Sequence, residues 1–240
     1  MTIRLVALDL DRTLVGDDGC VSERNRAAVR WACHRGVQVI LATGRRWEST
    51  ARVARHLGLR GPLITFGGAY VASVDGSQVF RRRFLEPEVA EAVLAFALDR
   101  GLAVNAYTVR RIYSTRRDQV LRAGFWTPAE VEVWPPPAGT ELGGLLQLTA
   151  VGREAVEAVA RFIAASLPGR CRFDIFSNQP VWTGHLLHPE ASKGQALAAL
   201  AHQLGVDRSE VLAVGDECND VDMLRWAGTG VAMYYARPEV

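Results

Sequence analysis

The run Ile3-Arg4-Leu5-Val6-Ala7-Leu8, followed by Asp9-Leu10-Asp11-Arg12-Thr13-Leu14, constrains this chain more than any other stretch. Its apolar residues do not alternate with polar ones, the pattern of a strand covered on both faces, as in a parallel sheet between helices. The C-terminal ends of such strands are where open α/β sheets bind ligands. Two aspartates at that end are costly unless a cation stands between them. The stretch points to a magnesium-assisted phosphoryl-transfer site and leaves its remaining parts to be found elsewhere in the chain.

The pattern recurs. Val37-Gln38-Val39-Ile40-Leu41-Ala42 runs into Thr43-Gly44-Arg45, Pro62-Leu63-Ile64-Thr65-Phe66 into Gly67-Gly68, and Val211-Leu212-Ala213-Val214 into Gly215-Asp216. Gly230-Val231-Ala232-Met233 reads as a short last strand. Between them lie helical stretches. One is capped by Ser22 and runs to about 35, with Ala27, Ala28, Trp31 and Ala32 as its buried face; the others span about 47–57 and 193–204. Strand and helix alternating through short loops is the signature of a doubly wound parallel sheet, Rossmann-like in plan.

From about residue 79 the pattern changes. Val79-Phe80-Arg81-Arg82-Arg83-Phe84 carries too much charge for a central strand. A helix from Pro87 buries Val89, Val93, Phe96 and Ala97, and two strand-like runs lie in 102–113. A proline- and glycine-rich loop at 135–144 precedes a strand at 145–151. A second helix places Val156, Val159, Ala160, Ile163 and Leu167 on one face. Strands at 172–177 and 181–187 pair across Asn178-Gln179-Pro180. The expectation is an α+β insert at 79–187 interrupting a parallel-sheet domain made of 1–78 and 188–240.

Composition narrows the class. With 49% hydrophobic and 22% charged residues the 240-residue chain is globular, and a net charge of +2 gives no reason to expect nucleic acid. No segment approaches the roughly 20 unbroken apolar residues of a membrane helix. The first residues enter a strand directly, so no signal peptide is expected. Cys20, Cys33, Cys171 and Cys218 are scattered, without zinc spacing, and read as reduced thiols of a cytoplasmic protein. Among 28 basic residues a single lysine, Lys193, stands against 27 arginines. Lysine and arginine are not interchangeable where a compact charge must meet a phosphate.

Asp9, Asp11, Thr43, Lys193, Asp216, Asn219 and Asp220 all fall at strand ends or helix starts of the parallel domain, which places them on one edge of the sheet. Carboxylates with a hydroxyl and an amide suit Mg²⁺, a hard ion that takes oxygen ligands. The lysine and Thr43 suit a phosphoryl group. The chain has no P-loop, so a carboxylate is the remaining nucleophile candidate, which implies an aspartyl-phosphate intermediate. Arg45 either reaches substrate or pairs with a carboxylate. His185 and His188 read as strand or packing residues, Cys218 as a small buried filler, and Arg81-Arg82-Arg83 as a solvated strand edge. Tyr107, Arg110, Arg111, Tyr113 and Trp182 are candidates for a substrate-facing surface of the insert.

The ordered set Asp-Leu-Asp-Arg-Thr-Leu, Ala-Thr-Gly-Arg, Ser-Lys-Gly and Gly-Asp-Glu-Cys-Asn-Asp resembles the four motifs of the haloacid dehalogenase superfamily. An insert between the second and third motifs resembles its Cof-type branch, with a type-IIB α/β cap. The resemblance implies a Mg²⁺-dependent phosphatase acting on small phosphomonoesters, sugar phosphates or phosphorylated cofactors. In it Asp9 is the nucleophile and a metal ligand. Asp11 is the general acid and then base, and also binds the metal through its backbone carbonyl. Thr43, Gly44, Arg45, Lys193 and Asn219 are expected at the phosphate or substrate, and Asp216, Asn219 and Asp220 complete the metal shell. The partner is a small phosphorylated metabolite, with no nucleic acid or membrane, and the chain is a monomer or weak homodimer. A cap that opens about hinges near 79 and 187 is also implied. A phosphomutase sharing the chemistry, or a silent binding module on the same fold, are the alternatives. A pump-type ATPase is excluded by the missing membrane spans.

The chain departs from the pattern in places. Gly67 stands where the family usually has asparagine, and Tyr234 where it commonly has glycine. The chain stops at Val240 where relatives typically add a helix and a strand, so an exposed sheet edge, or a dimer contact covering it, is expected.

Overall fold

The first apolar run forms β1 (Leu5–Leu8), flanked in parallel by β2 (Gln38–Ala42) and β12 (Val211–Gly215). In this computed structural model, which describes residues 2–116, 131–136, 144–177 and 181–240, the chain divides into two units. One is Met1–Arg82 with Ala191–Val240, the other Arg83–Glu190.

The sheet of the first unit runs β13 (Thr229–Ala232), β12, β1, β2, β3 (Leu63–Thr65), β4 (Tyr70–Ala72) and β5 (Val79–Arg82). The first five strands are parallel, and β4 and β5 are antiparallel. Alternate residues of β1 feed two cores, which is why its sequence shows no polar alternation. Leu5 and Ala7 pack with Leu197 and Leu200 of α5 (Lys193–Gln203) and Met223 of α6 (Val221–Trp226). Val6 and Leu8 pack on the other face with Val29 of α1 (Glu23–His34) and Ala51 and Ala54 of α2 (Trp47–Leu57). Each leucine or isoleucine so buried contributes about 2 kcal/mol. No helix among the described residues is long and apolar enough to cross a membrane.

Two expectations are corrected in this unit. Residues 79–82, assigned from sequence to the insert, are the edge strand of this sheet. Arginines suit an edge, where one side of the strand meets water. The buried face of α1 is also different. Val29 is buried, but Ala27 and Ala28 are not, and Trp31 is 58% exposed with its ring under the Arg35 guanidinium at 3.9 Å. The cap is as expected: Ser22 Oγ accepts from the Asn25 amide at 3.1 Å.

The second unit has the sheet order β10 (Arg172–Phe176), β11 (Thr183–Leu187), β9 (Gln147–Val151), β6 (Val104–Tyr107), β7 (Ile112–Ser114) and β8 (Val131–Val133). Its helices α3 (Pro87–Asp99) and α4 (Arg153–Ser166) supply one apolar core with Val104, Ala106, Leu148, Ala150 and Leu186. Tyr113 belongs to that core, edge-on to Trp134, and Trp182 packs against it, so both lie on the helix-covered side of the sheet. On the other side Asp174, His185, Thr149, Asn105 and Ser114 lie directly opposite one another across five strands. Burial pushes the His185 imidazole down to about 4, so it is neutral at physiological pH. The turn at 178–180 and most of the loop at 135–144 lie outside the described residues.

Candidate active site

Asp9 leaves the end of β1, its amide bonded to the Val214 carbonyl at 3.0 Å and its carboxylate buried. Lys193, the first residue of α5, is 1% exposed, and its ammonium donates to Asp9 Oδ1 at 2.6 Å and Asp220 Oδ1 at 2.5 Å. The other oxygen of Asp220 accepts from the amides of Asp216 and Glu217, both at 3.1 Å, so the turn after β12 wraps around its own carboxylate. One carboxylate oxygen from each of Asp9, Asp216 and Asp220 falls within a 4.8 Å cluster. Residues 184 positions apart meet because parallel strands end on one edge.

The electrostatics of this cluster are unbalanced. Burial pushes the Asp9 carboxyl up to about 7, with Lys193 opposing and Asp220 adding to the rise. Burial likewise raises Asp216, against the hydrogen bond from Thr13. Desolvation pulls the Lys193 ammonium down, but Asp220 and Asp9 outweigh it and hold it above its ordinary value. Two of the three buried carboxylates, Asp9 and Asp220, thus share one buried ammonium, while Asp216 has the Arg12 guanidinium at 3.9 Å. An all-oxygen donor set with surplus negative charge fits a hard divalent cation.

Asp11 is placed differently. Its half-exposed carboxylate is gripped by Arg45, with Nε donating to Oδ2 at 2.8 Å and a second guanidinium nitrogen donating to Oδ1. Its side chain is therefore outside the three-carboxylate cluster, and of the two expectations for Arg45 the structure displays the pairing with a carboxylate. Thr43 is buried just past β2; Leu8 is opposite Leu41, so Asp9 and Thr43 leave neighbouring strands at nearly the same level. Thr43 Oγ1 accepts from the Arg45 amide at 3.2 Å, across the turn made by Gly44. Asn219 is half-buried in the turn Cys218–Asp220, and among the described residues its amide has no hydrogen-bond partner. Cys218 is exposed, its Sγ accepting from the Arg237 guanidinium at 3.9 Å, and is not the buried filler expected.

Sequence reasoning missed two supports. Thr13 Oγ1 donates to Asp216 Oδ1 at 3.0 Å; its place in the first motif was the available signal. The second is Gly68, at φ +98°, where a Cβ would stand 2.1 Å from the Ser192 carbonyl oxygen. That loop therefore sets where Lys193 begins. Gly68→Ala is expected to cost about 3 kcal/mol through overpacking and a strained φ. A thermal melt should show its midpoint fall by about 6–12 °C; an unchanged melt refutes the packing account. Gly67, at φ 58° and ψ 23°, adopts the left-handed conformation that asparagine also tolerates. The departure keeps the backbone and drops a side chain.

A family model for haloacid dehalogenase-like hydrolases matches residues 6–240. The chain belongs to this family. YxeH of Bacillus subtilis (strain 168) is 30% identical over 247 residues, which cover 99% of this chain and 89% of YxeH. The HMP-PP phosphatase of Cronobacter sakazakii (strain ATCC BAA-894) is 28% identical over 249 residues, 99% of this chain and 86% of that protein. A crystal structure of a haloacid dehalogenase-like hydrolase from Bacteroides thetaiotaomicron matches with a TM-score of 0.84, covering 99% of this chain and 90% of its own. At 24% identity that likeness speaks to the fold. The chain is a haloacid dehalogenase-like hydrolase built as an α/β parallel-sheet unit with an α+β unit inserted.

Proposed function

We infer that this hydrolase is a Mg²⁺-dependent phosphatase that cleaves small phosphomonoesters through an aspartyl-phosphate on Asp9. The observation that carries the reading is the buried Asp9 carboxylate, bonded to the buried Lys193 and clustered with Asp216 and Asp220. Lys193 engages only Oδ1 of Asp9, leaving Oδ2 to attack phosphorus. The phosphorus–oxygen bond to the leaving group then breaks, and Asp11 supplies the proton that the alkoxide needs. Water next attacks phosphorus and gives its proton to Asp11, releasing phosphate and restoring Asp9. Lys193, Thr43 and the unpartnered amide of Asn219 are the groups available to hold phosphoryl oxygens. Asp9, Asp216 and Asp220 would hold Mg²⁺ with the Asp11 carbonyl, and bound Mg²⁺ neutralises charge that develops on the phosphoryl group.

Arg45 holds both oxygens of Asp11, so proton transfer requires Asp11 to turn away from it. The freed guanidinium then suits an anionic substrate. The phosphatase name of the Cronobacter relative supports the reaction class. Four free thiols agree with a reducing, cytoplasmic setting.

The test is phosphate release from a panel of sugar phosphates, flavin mononucleotide and pyridoxal phosphate. Turnover is expected with MgCl₂, loss of at least about 100-fold in EDTA, and recovery on adding Mg²⁺. Full activity in EDTA overturns the metal reading. A phosphorylated isomer as product in place of phosphate overturns the phosphatase reading.

A further inference from the structure

Two tyrosines follow β13. Tyr234 is 95% exposed, and Tyr235 lies edge-on to it with centroids 4.8 Å apart. The backbone after β13 turns: the Met233 amide donates to the Gly215 carbonyl at 3.0 Å, and the Ala236 amide to the Met233 carbonyl at 2.9 Å. From this turn the Tyr235 hydroxyl donates to the Arg12 carbonyl, and its ring lies 5.5 Å from the Arg12 guanidinium carbon. Arg237 Nε is 3.3 Å from Glu217 Oε1. Residues 233–237 therefore grip both carboxylate-bearing loops, the one after β1 and the one after β12.

The grip on the first loop has a physical purpose. Arg12 sits at φ +65°, in the left-handed region that disfavours a non-glycine residue. Such a conformation persists only where neighbours determine it. On one side the Arg12 amide donates to the Val15 carbonyl at 2.8 Å; on the other, the Arg12 carbonyl is held by Tyr235. The held loop then delivers Thr13 Oγ1 to Asp216 Oδ1 at 3.0 Å and Arg12 Nε to within 3.9 Å of Asp216 Oδ2. Both oxygens of that carboxylate are thus oriented from a segment that closes on the Leu10 carbonyl through the amides of Thr13, Leu14 and Val15, and whose Arg12 carbonyl is held by the Tyr235 hydroxyl.

We propose that Tyr235 is a positioning residue for divalent-cation binding, holding the Arg12 carbonyl so that Thr13 and Arg12 orient the Asp216 carboxylate. This rests on the carboxylate cluster being a Mg²⁺ site. Groups that orient metal ligands are worth about 10–100-fold in metal affinity, and Tyr235 acts through a backbone carbonyl, so the lower end applies.

The experiment is calorimetric titration of the full chain with MgCl₂, repeated with Mn²⁺ read by electron paramagnetic resonance. It compares the native chain, Tyr235→Phe and Tyr234→Phe, removing one of two adjacent hydroxyls at a time. Tyr235→Phe is expected to bind both ions about tenfold more weakly, with Tyr234→Phe unchanged. In an Arg12→Gly background the conformation no longer needs holding, and the effect of Tyr235→Phe should shrink to less than about twofold relative to that background. Equal affinity in native chain and Tyr235→Phe overturns the proposal, as does a lower melting point in EDTA with native affinity. An equal tenfold loss in the Arg12→Gly background also overturns it, since the effect then does not pass through Arg12. If the native chain binds neither ion, the Mg²⁺ reading itself fails and this one with it.

Discussion

Asp9→Asn is expected to lower kcat for p-nitrophenyl phosphate by about 10⁴-fold while the chain keeps its fold. The substitution keeps the shape of the side chain and removes the attacking carboxylate; loss of a nucleophile commonly costs this much or more. The stability side has the opposite sign to the usual core mutation. Asp9 is one of three buried carboxylates, and burial already holds its carboxyl near 7, so its charge is expensive in the folded state. An amide removes that charge, and Lys193 keeps its bond to Asp220. The melting point measured in EDTA should therefore be unchanged or higher. A variant that melts as the native chain and turns over within tenfold of it refutes the assignment of Asp9.

Lys193→Met is expected to damage folding and rate together. Removing the ammonium leaves Asp9 and Asp220 buried without their shared counter-charge, and breaking a buried pair in this way costs about 3–5 kcal/mol. Urea unfolding should show that loss as a lower midpoint at constant slope. In variants that remain folded at low temperature, kcat should fall by about 10²–10³-fold, the range for losing one preorganised charge at a reacting centre. Lys193→Arg should not rescue, because the side chain is 1% exposed and a planar guanidinium does not reproduce a compact ammonium that donates to Asp9 at 2.6 Å and to Asp220 at 2.5 Å. The double variant with Asp9→Asn supplies the decisive number. Because the two side chains touch, Lys193→Met should cost at least about 1 kcal/mol less in that background. Strict additivity means that the 2.6 Å contact carries no coupling.

The parallel sheet was legible because β1, β2, β3 and β12 are short apolar runs with no alternation, each followed by glycine, hydroxyl or carboxylate. The clustered carboxylates and Lys193 were legible because their positions relative to those runs are a local property of the sequence. The buried face of α1 was not. Trp31 is the largest apolar residue of that helix, yet which stripe is covered depends on where α2 packs, and the packing chose Val29. The β5 strand was misplaced because charge marks an edge without saying of which sheet.

By itself, the sequence determined the fold class, the strand ends that carry chemistry, and the residue types available there: carboxylates, one lysine, a threonine. Those follow from patterns a few residues long. Only the tertiary structure decided the partnerships, because they join loops far apart in the chain. It gave Asp9 and Asp220 to Lys193, gave Asp11 to Arg45, and set Thr13, Arg12 and Tyr235 around Asp216. The two aspartates of the first strand end are two residues apart and chemically alike. They differ because one is buried against an ammonium and the other is half-exposed against a guanidinium, and burial is a property of the packed molecule.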